Sequence, residues 1–342
     1  MPLISSLGLM NAVGFMLPSA KKTAIAVAHD TSPYISTYPW SAGFGTKYAN
    51  PSTLPTGTGF GVSFNPAGTA IAVAHATLPF ISTYPWSAGF GTKYADPSNI
   101  PTGAGFGVSF NPAGTAIAVA HNLSPNILTY PWSAGFGTKY VNPSPIPTGA
   151  GRGVSFNPAG TAIAVAHSTT PFISTYPWSA GFGTKYADPS TLPTGTGYGV
   201  SFNPAGTAIA VTHATTPFIS TYPWSAGFGT KYANPSTLPT GAGLGVSFNP
   251  AGTAIAVAHG TTPFISTYPW SAGFGTKYAD PSTLPTVVGY GVSFNPAGTA
   301  IAVTHATTPF ISTYPWSAGF GTKYADPSTL PTGTGYSVSF SI

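Results

Sequence analysis

Three residue types able to do chemistry recur at one fixed interval. His stands at 29, 75, 121, 167, 213, 259 and 305, Lys at 47, 93, 139, 185, 231, 277 and 323, and Trp at 40, 86, 132, 178, 224, 270 and 316, always 46 residues apart. Carboxylates are scarce. Asp96, Asp188, Asp280 and Asp326 share one repeat position with Asn50, Asn142 and Asn234, Asp30 stands alone, and Glu is absent. Asn cannot act as an acid or base, whereas both residues start an Asx-type turn before Pro, so the shared position reads as a turn. Paired-carboxylate hydrolysis then has no candidate. His residues so far apart make no local metal motif. They read first as structural groups bonded to a neighbouring loop. The alternatives are a ring that takes up protons below about pH 6, raising formal charge from +5 to +12, or a metal ring. Gly89-Phe90-Gly91-Thr92-Lys93 has the wrong order and spacing for a phosphate loop. No nucleophile elbow occurs. We expect no catalytic residue, no metal and no cofactor.

Those residues are positioned by a repeat. Seven periods of 46 fill residues 21–342 and leave an N-terminal arm, 1–20. Such a period points to propellers, solenoids or arrays. One unit divides at its turn residues into four strands: Val62–Phe64, Ala70–His75, Phe80–Tyr84 and about Gly91–Ala95. In the second, Ile71, Val73 and His75 alternate with Ala70, Ala72 and Ala74, which lets large side chains of one sheet pack on the alanine face of the next. The expected fold is all-β: a seven-bladed β-propeller of four-stranded blades. The last unit ends in a first strand, Tyr336 to Ile342, and the first begins with a second strand at Thr23. The C-terminal strand is therefore expected to close blade one, with Val13-Gly14-Phe15 as the rival first strand.

Composition agrees. Among 342 residues, Lys+Arg number 10 and Asp+Glu 5, so 4% are charged, while 14% are aromatic, with Gly 42, Pro 37 and Cys 0. Low charge excludes coiled coils and charge-rich disorder. A net charge of +5 spread thinly along the chain is not a nucleic-acid stripe. The absence of Cys excludes disulfides and thiolate metal sites. The start lacks the cationic opening of a secretory signal, and no apolar run is long enough for a membrane span.

The run Val-Ser-Phe-Asn-Pro-Ala-Gly, then Ala-Ile-Ala-Val, then a strand ending in Trp resembles WD40-type repeats from Thr23 to Ile342. It departs where Ser87 follows Trp86, Pro85 precedes it, and no Gly-His pair precedes the first strand, so that family's hydrogen-bond tetrad does not carry over. The copies, with their Tyr-Pro-Trp-Ser and Gly-Phe-Gly-Thr-Lys-Tyr phrases, are also similar to tandem propeller repeats in virion proteins of tailed phages.

The copies differ at few places. The Asn-Pro-Ala-Gly turn and the Ser-Ala-Gly-Phe-Gly-Thr-Lys connection are constant, while variation follows the second strand and precedes the first. Because strands alternate direction, those two variable regions share one face. Before strand one the copies carry Phe60, Phe106, Arg152, Tyr198, Leu244, Tyr290 and Tyr336. The third copy departs most, with Asn126, Pro145 and Arg152. Phe60, Phe106, Arg152, Tyr198, Tyr290, Tyr336 and Asn126 are the partner-binding candidates on this face. Leu9, Met10, Phe15 and Met16 of the apolar arm are a second set. Recurrent Trp and Tyr raise glycan stacking, against a blade-core role for Trp86 and solvent exposure for Tyr94.

The expectation from sequence is a non-enzymatic structural or adhesion module of a virion or extracellular surface. It would dock other particle proteins through the arm or one face and host glycan as a second partner, without nucleic acid. The alternative is a soluble or secreted propeller scaffold binding a protein or glycan.

Overall fold

The computed structural model describes residues 23–341. Alternating large and small residues, broken every few positions by Pro or Gly, give 21 strands arranged as seven three-stranded sheets, with no helix among the described residues. Blade two is typical: β3 (Gly59–Phe64), β4 (Ala70–His75) and β5 (Ile81–Pro85) pair in that order, antiparallel, with Val62 opposite Val73 and Ala72 opposite Thr83. The Asn-Pro-Ala-Gly hairpin is held by Asn65. Its Oδ1 accepts from Thr69 N at 2.8 Å and Ala70 N at 2.9 Å, and its Nδ2 donates to Thr69 Oγ1. Gly68 supplies the positive φ of 65° that this turn requires.

The core lies between blades. Ile71, Val73, Tyr84 and Trp86 of blade two pack on Ala24, Ala26 and Ala28 of blade one, while Ala70, Ala72 and Ala74 receive Ile117, Val119 and Trp132 of blade three. The predicted large-on-small interdigitation is therefore the inter-blade core. The expected fourth strand is reduced. Trp86 and Phe90 form an isolated bridge, Gly91 N donates to Pro85 O, and Tyr94 N donates to Thr83 O. Ala88 and Gly89 both turn through positive φ just before this segment, and Pro97 follows it, so no continuous ladder can form.

Closure uses the C-terminus. β21 (Gly335–Phe340) is the inner partner of β1 (Ala24–His29), with Val27 opposite Val338, and β2 (Ile35–Pro39) completes blade one. Ser341 N donates to Ala24 O and Ser341 Oγ accepts from Ala24 N, each at 2.8 Å. The rival strand Val13–Phe15 lies outside the described residues.

Candidate functional site

The seven inner strands run side by side around a central channel. Each begins Gly-x-Gly or, in β21, Gly-x-Ser. In blade two the pairing jumps from Gly59 opposite His75 to Gly61 opposite Ala74, leaving Phe60 as the extra residue of a β-bulge. Every blade has this irregularity at the same place. A bulge frees one residue from the ladder and re-aims its side chain. The second glycine permits close approach: a Cβ on Gly61 would lie 2.6 Å from the carbonyl oxygen of Phe106 in the next blade, and Gly107, Gly153 and Gly245 face the same restriction. At the seventh position Ser337 stands instead, and its Oγ accepts from Val62 N at 3.3 Å.

The bulged residues converge. Phe60, Phe106, Arg152, Tyr198, Leu244, Tyr290 and Tyr336 line a cavity of about 210 Å³. A second, of about 200 Å³, is walled by most of the same side chains and by the Gly, Val and Ser337 positions of the inner strands. Neighbouring rings touch: Phe60–Phe106 at 5.0 Å, Phe60–Tyr336 at 5.1 Å and Tyr290–Tyr336 at 4.9 Å between centroids. The guanidinium of Arg152 lies 4.6 Å from the centre of the Phe106 ring and 5.9 Å from that of Tyr198, a cation–π seat. Burial, reinforced by Tyr290 and Asp30, pushes the Tyr336 phenol above its usual range, so it remains a proton donor. Among the described residues no Asp or His lines this mouth.

Six of the seven candidates on the variable face are thus brought into one ring, joined by Leu244. Asn126 is not. It is buried in its loop, where Nδ2 donates to Pro147 O at 2.7 Å and its backbone carbonyl accepts from His121 N, so it is held away from the mouth. Leu9, Met10, Phe15 and Met16 lie outside the described residues. Ser337 and the shared bulge were missed from sequence. The Gly-x-Gly flanking each variable residue was the available signal.

The other recurring residues are structural. All seven His are fully buried. In six blades Nε2 lies 3.0–3.1 Å from a Ser Oγ on the adjacent strand, as in His75 and Ser82. Nδ1 of His29, His75, His213 and His305 also lies 3.1–3.5 Å from a Thr Oγ1 in the loop ahead of an inner strand, the neighbouring-loop contact expected from sequence. Burial lowers each imidazole pKa to about 4, against proton uptake near pH 6. Trp86 is 4% exposed. Tyr94 is half-buried, more open than Trp86 as expected, and packs edge-on to Trp132 of the next blade at 5.4 Å. Trp86 is too buried to stack flat on a sugar. Asp96 pairs with Lys93, and Asn50 accepts from Lys47 in the same way, which explains why Asp and Asn interchange there.

No family model and no curated protein matches the sequence. The structure does match solved ones. A candidate 6-phosphogluconolactonase of Bacteroides fragilis NCTC 9343 superposes with a TM-score of 0.72 at 13% identity, covering 95% of this chain and 100% of that one. Its counterpart from Bacteroides uniformis ATCC 8492 gives 0.69 at 13%, over 94% and 99%. The periplasmic gluconolactonase of Pseudomonas aeruginosa gives 0.69 at 12%, over 94% and 99%.

The chain shares their fold. This corrects the functional expectation. A non-enzymatic virion or adhesion module finds no support: no WD40 model matches, none of these three proteins is from a phage, and all three are named for lactone hydrolysis. The physical reason for the error is specific. The mouth is built at a position where the copies differ, so no residue type common to all seven forms it.

Proposed function

We propose that the chain is a lactone hydrolase acting at the channel mouth. The observation that carries this reading is the convergence of the seven variable residues on one small cavity, with a single cation and three phenols among them. The lactonase names of structures sharing the fold over nearly the whole chain support the reaction class. The cavity is below the usual range for drug-sized ligands and suits a single sugar ring.

In the reaction, water adds to the lactone carbonyl, the carbonyl oxygen becomes an oxyanion, and the ring C–O bond breaks. The ring oxygen leaves as an alcohol and the product is the open hydroxy acid. Tyr290 and Tyr336, adjacent at 4.9 Å, donate hydrogen bonds to the oxyanion. Fixed donors placed where charge develops are a large source of rate enhancement. With no imidazole or carboxylate on the described mouth, the nucleophile is solvent water or hydroxide, and the rate rises with pH until deprotonation of Tyr336, displaced above the usual phenol range, removes its donor.

The test is lactone opening followed by proton release in a weakly buffered solution, with glucono-1,5-lactone and its 6-phosphate as substrates. Acceleration above the spontaneous rate is expected, falling at least tenfold in Tyr290→Phe/Tyr336→Phe. No acceleration of either substrate would overturn the reading.

A further inference from the structure

The mouth is polar along one diameter. Going round the ring, Arg152 is flanked by Phe106 and Tyr198, then by Phe60 and Leu244, and the far side is closed by Tyr336 and Tyr290. In a seven-membered ring the point opposite one member falls between the two most distant ones. The guanidinium therefore faces the Tyr290–Tyr336 pair across the cavity, with largely apolar side chains on both flanks.

Arg152 is also unfinished. Its Nε is buried and has no hydrogen-bond acceptor among the described residues. No salt bridge to it occurs among them either: the four ion pairs found there all join Lys to Asp within the outer segments. It is the chain's single Arg. Its Cζ lies over the Phe106 ring and, farther off, the Tyr198 ring. A buried donor without an acceptor costs about 1–3 kcal/mol. Nε, being buried, is out of a ligand's reach, whereas the paired Nη end of a guanidinium matches an oxyanion bidentately.

We infer that Arg152 is the receptor for a phosphate or carboxylate carried by the ligand, so that the mouth takes an anionic sugar lactone. Its charged group sits on Arg152 and its carbonyl lies toward Tyr290 and Tyr336. This rests on the lactonase reading for the carbonyl end, while the anion site stands on the Arg152 geometry alone. The flanks then set ligand orientation, since Phe60, Phe106 and Leu244 offer apolar contact without competing hydrogen bonds.

The test separates the two claims. First, inorganic phosphate and acetate are titrated into the wild-type chain and into Arg152→Gln and Arg152→Lys, each checked for native circular dichroism, with binding read by calorimetry and tyrosine fluorescence. Saturable binding by wild type is expected, lost in Arg152→Gln and at least fivefold weaker in Arg152→Lys, which keeps the charge but not the fork. Tighter phosphate than acetate identifies the group as phosphate, and the reverse as carboxylate. Second, KM is compared for the neutral and phosphorylated gluconolactones. A KM at least tenfold lower for the charged substrate than for the neutral one, with that difference abolished in Arg152→Gln, supports the assignment. Turnover of both lactones with equal KM, unaltered in Arg152→Gln, overturns the anion site and leaves the lactonase reading standing. Phosphate binding without turnover does the converse.

Discussion

A buried imidazole is a liability in acid, and this molecule has seven. Burial holds each His neutral, with a folded pKa of about 4 against the ordinary imidazole value of 6.5. Between those values the unfolded chain binds more protons than the folded one, so stability is full above pH 6.5 and is lost as pH falls toward 4. At the bottom of that window each site costs about 3 kcal/mol, and the repeat makes all seven titrate together. Urea midpoints should be flat from pH 7 to 8 and fall steeply from 6 to 4. A flat profile down to pH 4 would show that the imidazoles are charged or accessible. Blade three gives an internal control. Leu128 stands where the other blades have Ser, and both ring nitrogens of His121 lack partners. His75→Leu breaks the bond to Ser82 and strands its hydroxyl, whereas His121→Leu breaks none. The first should cost about 1 kcal/mol more than the second, measured by urea unfolding at pH 7.5.

At the scale of elements, the blade is a three-stranded sheet whose outer segment is held more by aromatic contacts than by a ladder. Trp86 meets Phe90 at 5.2 Å, Phe64 at 5.3 Å and, across the blade boundary, Tyr48 at 5.3 Å. Trp86→Ala should destabilise by about 3–5 kcal/mol. The hairpin end depends on Asn65, and Asn65→Ala should cost about 2 kcal/mol by freeing the N–H groups of Thr69 and Ala70, the second of them buried. Equilibrium unfolding of the two variants checks both figures, and a cost below 0.5 kcal/mol for Asn65→Ala would contradict the turn's role. These elements were legible in sequence because turn residues bracket them and alternation reveals two faces. The outer strand was over-read, since Gly91 to Ala95 carries strand-compatible residues but sits between a positive-φ turn and Pro97. The bulge at Phe60 was not legible. Gly-x-Gly fits an ordinary strand start, and only the pairing register exposes the extra residue.

For the whole molecule, β21 joins the two ends of the chain in one sheet. Ending the chain before Gly335 leaves the inner edge of β1 unpaired and exposes the alanine face of blade seven. Scanning calorimetry of such a truncation should show loss of the single cooperative transition, and an unchanged transition would contradict closure by β21. Sevenfold near-identity makes a rigid ring, while seven private residues at the mouth make its chemistry. The first was plain in the sequence because it repeats. The second was visible only as scattered differences, because residues 46 apart in the chain become neighbours only once the ring closes. The most direct measurement of this account is kcat/KM for 6-phosphogluconolactone opening by the wild-type chain beside a mouth made uniform by Arg152→Phe, Tyr290→Phe and Tyr336→Phe. The account predicts catalysis in the wild type and none above background in the uniform mouth at unchanged thermal stability. Equal rates in the two would show that the channel mouth is not where this protein works.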